Sequence, residues 1–213
     1  MKINTLITTI FLLINICNSQ TILAQTQFGI RGGSNLANMS INFAGINVGT
    51  DINAGFFIGV LLDIPITEVL SIQPELHFVQ KGFQQSSEAP GLNFSNSLRL
   101  NSLDLPIHVK YKHGINDKVS AFGLLGFNFG LGLFGNVESC DNGVFNSVDI
   151  EFGEENDFRR FDAGISIGGG VRLYEYVTLD IRYVLGINNI EPSDFDGFST
   201  RTRGIQFGIG SYF

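Results

Sequence analysis

The residues of this chain best equipped for chemistry are two histidines, each close in sequence to a carboxylate: His77 after Glu75, and His108 after Asp104. Imidazole titrates near neutral pH and a neighbouring carboxylate can orient it, so such pairs could act as general acid and base. No G-x-S-x-G nucleophile motif is read beside them, and both are assigned to a buried polar network rather than to catalysis. Asp141-Asn142-Gly143 and Asp194-Phe195-Asp196-Gly197 carry acids but lack the spaced series ending in Glu that a calcium loop needs. Gly168-Gly169-Gly170 is not followed by the Lys-Ser/Thr of a phosphate loop. No catalytic residue, cofactor or metal is therefore expected.

The elements that must position these side chains are strands. Along 70–83, Leu70, Ile72, Pro74, Leu76 and Phe78 alternate with Ser71, Gln73, Glu75, His77 and Lys81, and successive strand side chains point to opposite faces. A helix would scatter the two sets, and Pro74 would break it. Seven further segments alternate in the same way: 27–36, 53–64, 102–111, 118–131, 161–173, 177–187 and 204–213. Short turns are expected at 65–68, 114–116 and 174–176. Longer polar loops are expected near 38–52, 84–97, 132–157 and 188–199, the third holding Cys140 and most of the excess acid.

Residues 1–24 have the form of a secretory leader: Lys2, an apolar run from Leu6 to Ile16, then Ile22-Leu23-Ala24. The run falls short of the roughly 20 residues that a spanning helix requires. Bulky Ile16 before Cys17 argues against lipid attachment there. The expected organisation is a signal peptide over 1–24 and one barrel domain over 25–213, with a charge of −8 once Lys2 is removed. That acidity, with no basic patch, excludes nucleic acid as a partner. The 26 glycines and 20 phenylalanines, with no Trp, suit a narrow barrel in which Gly leaves room for bulky neighbours.

One face of each segment is apolar and nearly uncharged, and the other is small, polar and charged. The inward charges balance: Asp63, Glu75, Asp104, Asp162 and Asp180 against Arg31, Lys81, Lys110, Arg172 and Arg182. With His77 and His108 they make up the expected luminal network, since charges away from water must be paired. Outward aromatics fall near the strand ends, Phe56, Phe78, Phe127, Phe129 and Phe161 toward the loops and Phe28, Tyr111 and Phe213 toward the turns, as interfacial girdles do. The fold expected is all-β, an eight-stranded antiparallel up-and-down transmembrane barrel with both termini on the periplasmic, short-turn side. The alternative is a soluble periplasmic lipocalin-like barrel, with the apolar face inward around a ligand.

Three stretches carry a resemblance: Phe28-Gly29-Ile30-Arg31-Gly32-Gly33-Ser34-Asn35-Leu36, Ile72-Gln73-Pro74-Glu75-Leu76 with Gln80-Lys81-Gly82, and Leu103-Asp104-Leu105-Pro106-Ile107 with Lys110-Tyr111. Together they resemble the outer-membrane β-barrel domain family that includes the PorT-like proteins. The resemblance implies an eight-stranded barrel in a Gram-negative outer membrane, some relatives being tied to protein secretion, and it supplies no catalytic residues. The expected function is a non-enzymatic barrel with an envelope-structural or protein-interaction role linked to secretion. Its partners would be outer-membrane lipid and, through the loops, envelope or secretion proteins. A lipid-modifying enzyme built around His77 and His108 is the second expectation, and a small-solute channel the third.

Overall fold

A computed structural model describes residues 26–43, 46–89, 92–141, 144–153, 159–190 and 198–213; the expected leader at 1–24 lies outside them. Ten strands occur in chain order: β1 (Gln27–Phe43), β2 (Ile46–Gly49), β3 (Asn53–Pro65), β4 (Leu70–Ala89), β5 (Leu92–Asn116), β6 (Val119–Asp141), β7 (Val144–Ile150), β8 (Phe161–Leu173), β9 (Val177–Gly186) and β10 (Phe198–Tyr212). Eight of them form a closed antiparallel ring, β1-β3-β4-β5-β6-β8-β9-β10. The ring closes along a continuous ladder between β10 and β1, from Gly29 opposite Tyr212 to Phe43 opposite Phe198. Closure leaves no edge within the wall, so the backbone polar groups of every ring strand are paired on both sides.

At one end the strands are joined by short turns, and the first and last strands end there too. Lys112 N, Tyr174 N and Tyr212 N donate to the carbonyls of Val69, Lys118 and Tyr176, tying successive turns together around the rim. The β8–β9 turn needs two residues in the left-handed region, Tyr174 (φ 49°) and Glu175 (φ 63°), where a side chain is unfavourable. Arg172 offsets this by donating from Nε to the Glu175 carbonyl at 2.9 Å.

The opposite end departs from the expected loops. β4 and β5 stay paired up to Ala89 opposite Leu92, β5 and β6 up to Phe94 opposite Asp141, and β7 adds to β6 from Gly135 opposite Ile150. Most of 84–97 and much of 132–157 is thus tall hairpin, and β1 continues to Phe43 with β2 beside it. Cys140, expected in a loop, is a free, half-buried thiol on β6. The strands went unread because the alternation reverses there. Within the wall the outward residues are apolar, such as Leu103, Leu105 and Ile107 on β5, while Asp104 and His108 are buried. Beyond it Arg99 turns outward to pair with Glu138 at 3.4 Å, and Leu98 and Leu100 turn inward. There they join Met39, Ile150 and Ile190 in an apolar cluster flanked by Phe83, Val137 and Phe152. The switch coincides with a register shift between Asn101 and Ser102.

Ring closure predicts that the detergent-folded protein changes gel mobility on boiling. Phe207→Pro, which removes a ladder donor in β10 opposite Ser34 and Ile181, is expected to abolish that difference. A mobility shift retained by this variant would argue against the β10–β1 seam.

Candidate functional site

Strand alternation brings the charged side chains to the inner face, where they form three clusters at successive depths. Arg31, Glu75, His77, Asp104, His108, Lys110, Asp180 and Arg182 all lie there with almost no solvent contact. Asp63 and Arg172 are buried toward the turn end, and Lys81 and Asp162 are slightly more open toward the loop end. Glycine supplies the space. A Cβ at Gly208 would lie 2.6 Å from Arg31 Nη2, and one at Gly59 would lie 2.4 Å from His77 Cδ2.

The central cluster is built on the Glu75 carboxylate from β4. Its Oε1 accepts from Gln73 Nε2 at 2.7 Å, from Arg182 Nη1 at 2.7 Å and from His108 Nδ1 at 3.1 Å. Its Oε2 lies 2.8 Å from His77 Nε2, and each of these two atoms has the other as its close polar neighbour. Arg182 continues to Asp180 Oδ1 through Nε at 2.9 Å. Asp180 also receives the Arg31 guanidinium, Nε to Oδ2 at 3.0 Å. The Arg31 guanidinium rests 4.2 Å from the centroid of the Phe57 ring.

The other two clusters flank this centre. Toward the loops, Lys81 Nζ bridges Asp104 at 2.9 Å and Asp162 at 3.1 Å, with Ser102, Asn128 and Thr202 donating to the same carboxylates. Toward the turns, Lys110 Nζ donates to Asp63 at 2.7 Å and to Tyr212 Oη at 3.0 Å. Tyr212 Oη donates to Gln73 Oε1 at 3.2 Å and so connects this cluster to the centre. Both histidines therefore converge on Glu75. Asp104, which sequence proximity places beside His108, belongs to Lys81, although it sits opposite His77 in the ladder.

Sequence reading missed a further member. Ser166 Oγ lies 2.6 Å from His108 Nε2, so Ser166, His108 and Glu75 stand in the order nucleophile, base, orienting carboxylate. With Nδ1–H donating to Glu75, Nε2 is left to accept the Ser166 hydroxyl. Gly164-Ile165-Ser166-Ile167-Gly168 does match G-x-S-x-G, contrary to the expectation that no such motif accompanies the histidines. It lies in the middle of β8, however, and not on a strand-to-helix elbow. Ser166 stands opposite Gly126 and Val184 in two ladders, so the adjacent amides are committed to the sheet and not to an oxyanion. The space beside the pair is a cavity of about 10 Å³ between His77, Asn128, Ser166 and Arg182, room for one water at most. Gly168-Gly169-Gly170 is likewise paired strand. No metal-ligating group of three acids, cysteines or histidines occurs among the described residues.

The outer surface is the reverse of the lumen. Ile30, Ile58, Val109, Ile167, Ile181 and Ile209 are exposed across the wall, which rules out the inverted, ligand-filled soluble barrel. At the loop end Phe56, Phe78 and Phe134 approach in sequence at 5.9 and 6.4 Å between centroids, as do Phe127, Phe129 and Phe161 at 6.5 and 6.4 Å. At the turn end Phe28 and Phe213 stack at 6.3 Å. These are two aromatic belts bounding an apolar band.

A family model described as outer membrane protein beta-barrel domain matches residues 18–191. No curated protein matches the chain. Among solved structures, Ail of Yersinia pestis in complex with the heparin analogue sucrose octasulfate is 16% identical, with a TM-score of 0.42 over 88% of this chain and 99% of that one. OprG of Pseudomonas aeruginosa is 13% identical, with a TM-score of 0.41 over 88% and 95%. Neisserial surface protein A is 13% identical, with a TM-score of 0.42 over 87% and 97%.

Removing the Glu75 carboxylate strands a buried positive charge. Glu75→Leu is expected to lower unfolding stability by about 3 kcal/mol, measured by denaturant titration in detergent, and Glu75→Gln by less. Equal stability of wild type and Glu75→Leu would contradict the inward placement of this side chain.

Proposed function

The chain belongs to the outer membrane protein β-barrel domain family and is accordingly an outer-membrane protein embedded in lipid; from that premise we propose that it is a closed, non-enzymatic barrel whose loop-end sheet contacts other envelope proteins. The observation that carries this reading is the sealed interior. Paired charges fill the middle, leaving about 10 Å³ beside Ser166, and an apolar cluster closes the loop end. Such a lumen neither passes solutes nor admits a lipid acyl chain to Ser166. What remains available is the surface raised beyond the aromatic belt, where Asn146, Ser147, Val148 and Asp149 of β7 are exposed. We place the short turns and both termini in the periplasm and this raised sheet outside the cell, the arrangement usual for such barrels. Likeness to PorT-like proteins supplies, by analogy, a protein-secretion assembly as the kind of partner.

A second reading, a lipid-modifying enzyme, draws on one observation, the Ser166–His108–Glu75 alignment. Ser166→Ala and His108→Ala separate the two readings. The closed-barrel reading expects unchanged membrane lipid composition and no labelling of Ser166 by a fluorophosphonate, and altered lipids with a folded barrel would establish the enzyme. Planar-bilayer recordings are expected to show no steady unit conductance. A photo-crosslinking residue at Val148 is expected to capture envelope proteins in cells; the absence of adducts there and at Asn146 would count against a contact role for β7.

A further inference from the structure

The luminal charges balance as a sum but not at each depth. The central cluster is neutral, with Arg31 and Arg182 facing Asp180 and Glu75. At the loop end one base, Lys81, meets two acids, Asp104 and Asp162. At the turn end two bases, Lys110 and Arg172, are buried with a single buried acid, Asp63, which pairs with Lys110. Asp104 and Lys110 lie six positions apart on β5, about 20 Å of strand, too far for the excess at one end to neutralise that at the other. Among its buried groups the turn end thus holds one positive charge in excess, which favours a counter-ion.

That end also has space and free donors. A vestibule of about 440 Å³ opens there, lined by Gln27, Asp63, Thr67, Lys110, Lys112 and Arg172 among others. Arg172 and Lys110 both pack on the Tyr212 ring, at 4.2 and 5.0 Å from its centroid, so two like charges are held together by the fold. Arg172 spends Nε and Nη2 on the Glu175 carbonyl and on Gln27 Oε1. Among the described residues no carboxylate pairs with Arg172 or with Lys112, and residues 1–25 contain no Asp or Glu. Lys110 has used two of its three donors. The Thr67 hydroxyl accepts from two backbone amides, leaving its proton to give, and Gln27 accepts through its oxygen, leaving its amide hydrogens. Glu68 and Glu175 also line the vestibule, but both are exposed to water, where their charge is screened.

We propose that this turn-end vestibule is an anion site that takes a phosphate-bearing ligand, held by Lys110, Lys112 and Arg172 with Thr67 and Gln27 as neutral donors. Three bases and two neutral donors around one concavity suit a tetrahedral oxyanion, since two of the three acids that line it, Glu68 and Glu175, are exposed. The volume leaves room for an organic remainder about as large as a glycerol or sugar unit. The phosphate could belong to a lipid headgroup at the membrane boundary or to a free solute. The assignment is independent of which side of the membrane the turns face and of whether the loop end binds protein.

The test is calorimetric titration of inorganic phosphate and of glycerol phosphate into the full chain folded in a maltoside detergent, repeated in phospholipid nanodiscs. Lys112→Gln is the principal variant because this side chain is only half-buried and makes no ion pair on which folding depends. Saturable binding that Lys112→Gln weakens roughly fivefold, with gel mobility unchanged, is the expected result. Binding that persists in nanodiscs identifies a free solute, and binding seen in detergent but blocked in nanodiscs identifies the lipid headgroup. No saturable binding in detergent, or binding unaffected by both Lys112→Gln and Lys112→Glu, would overturn the site.

Discussion

The structure depends first on the absence of hydrogen-bonding partners in hydrocarbon. A strand crossing lipid has no water to satisfy its amides, so the sheet must close, and here it closes between β10 and β1. Closing with only eight strands fixes a narrow bore. A narrow bore leaves inward side chains no room except where glycine gives way, which is why Gly208 stands against Arg31 and Gly59 against His77. It also leaves little water in the middle of the bore, so the inward charges there pair between strands. Closure therefore dictates glycine placement and charge pairing alike.

The same chain obeys two opposite solvent rules within single strands. Along β5, Leu103 to Tyr111 turn apolar side chains outward and charged ones inward; just beyond Leu103 toward the loop end, Arg99 is outside and Leu98 is buried. On β5 the even-numbered residues from Leu98 to Lys110 are buried throughout, so the reversal there is one of residue type, and an irregularity in the ladder shifts the phase of β6 to match. Asn101 stands opposite Phe134 and Ser102 opposite Gly132, so Leu133 is the extra residue on β6. At this bulge Leu133 and Phe134 are both exposed, while Asn101 and Ser102 on the facing strand are both buried. Phe134 then meets Phe78 in the aromatic belt. Belt, bulge and reversal of polarity fall at one level, and that level is where lipid ends.

What the sequence made legible follows from this. Strands inside the band, such as 102–111, alternate strictly because lipid and lumen differ so strongly, and their facing could be read residue by residue. Above the band, Gln, Ser and Asn recur along 84–97 and the period-two contrast fades, so the stretch reads as loop although it is paired strand. The identity of the inward charges was legible, but their pairing was not. Proximity along the chain suggested Asp104 for His108, whereas strand register and barrel curvature deliver Glu75. Ser166 was in plain view between Gly164 and Gly168, but as a small residue in an alternating run it reads as lumen packing until β5 and β8 are brought across the bore. Phe134 was hidden for the complementary reason: its outward position depends on a bulge with no sequence signature of its own.

The buried charges also bear on how one register is chosen among many. Slipping any strand by a single residue would exchange its two faces. For β9 that would carry Asp180 and Arg182 into lipid and Ile181 into the lumen, at roughly 2–4 kcal/mol for an Arg or Lys at the bilayer midplane and somewhat less for an acid, besides the lost partners. An apolar lumen would resist slippage far less, because interior and lipid would then accept the same side chains. The pairs also span the ring: Lys81 of β4 reaches Asp162 of β8, Arg31 of β1 reaches Asp180 of β9, and Glu75 of β4 holds Arg182 of β9 and His108 of β5. All but the Glu75–His108 pair, which joins neighbouring strands, link strands far apart in sequence, so a slip in one would break pairs on several. The network thus acts as a device that holds the closed barrel in a single register.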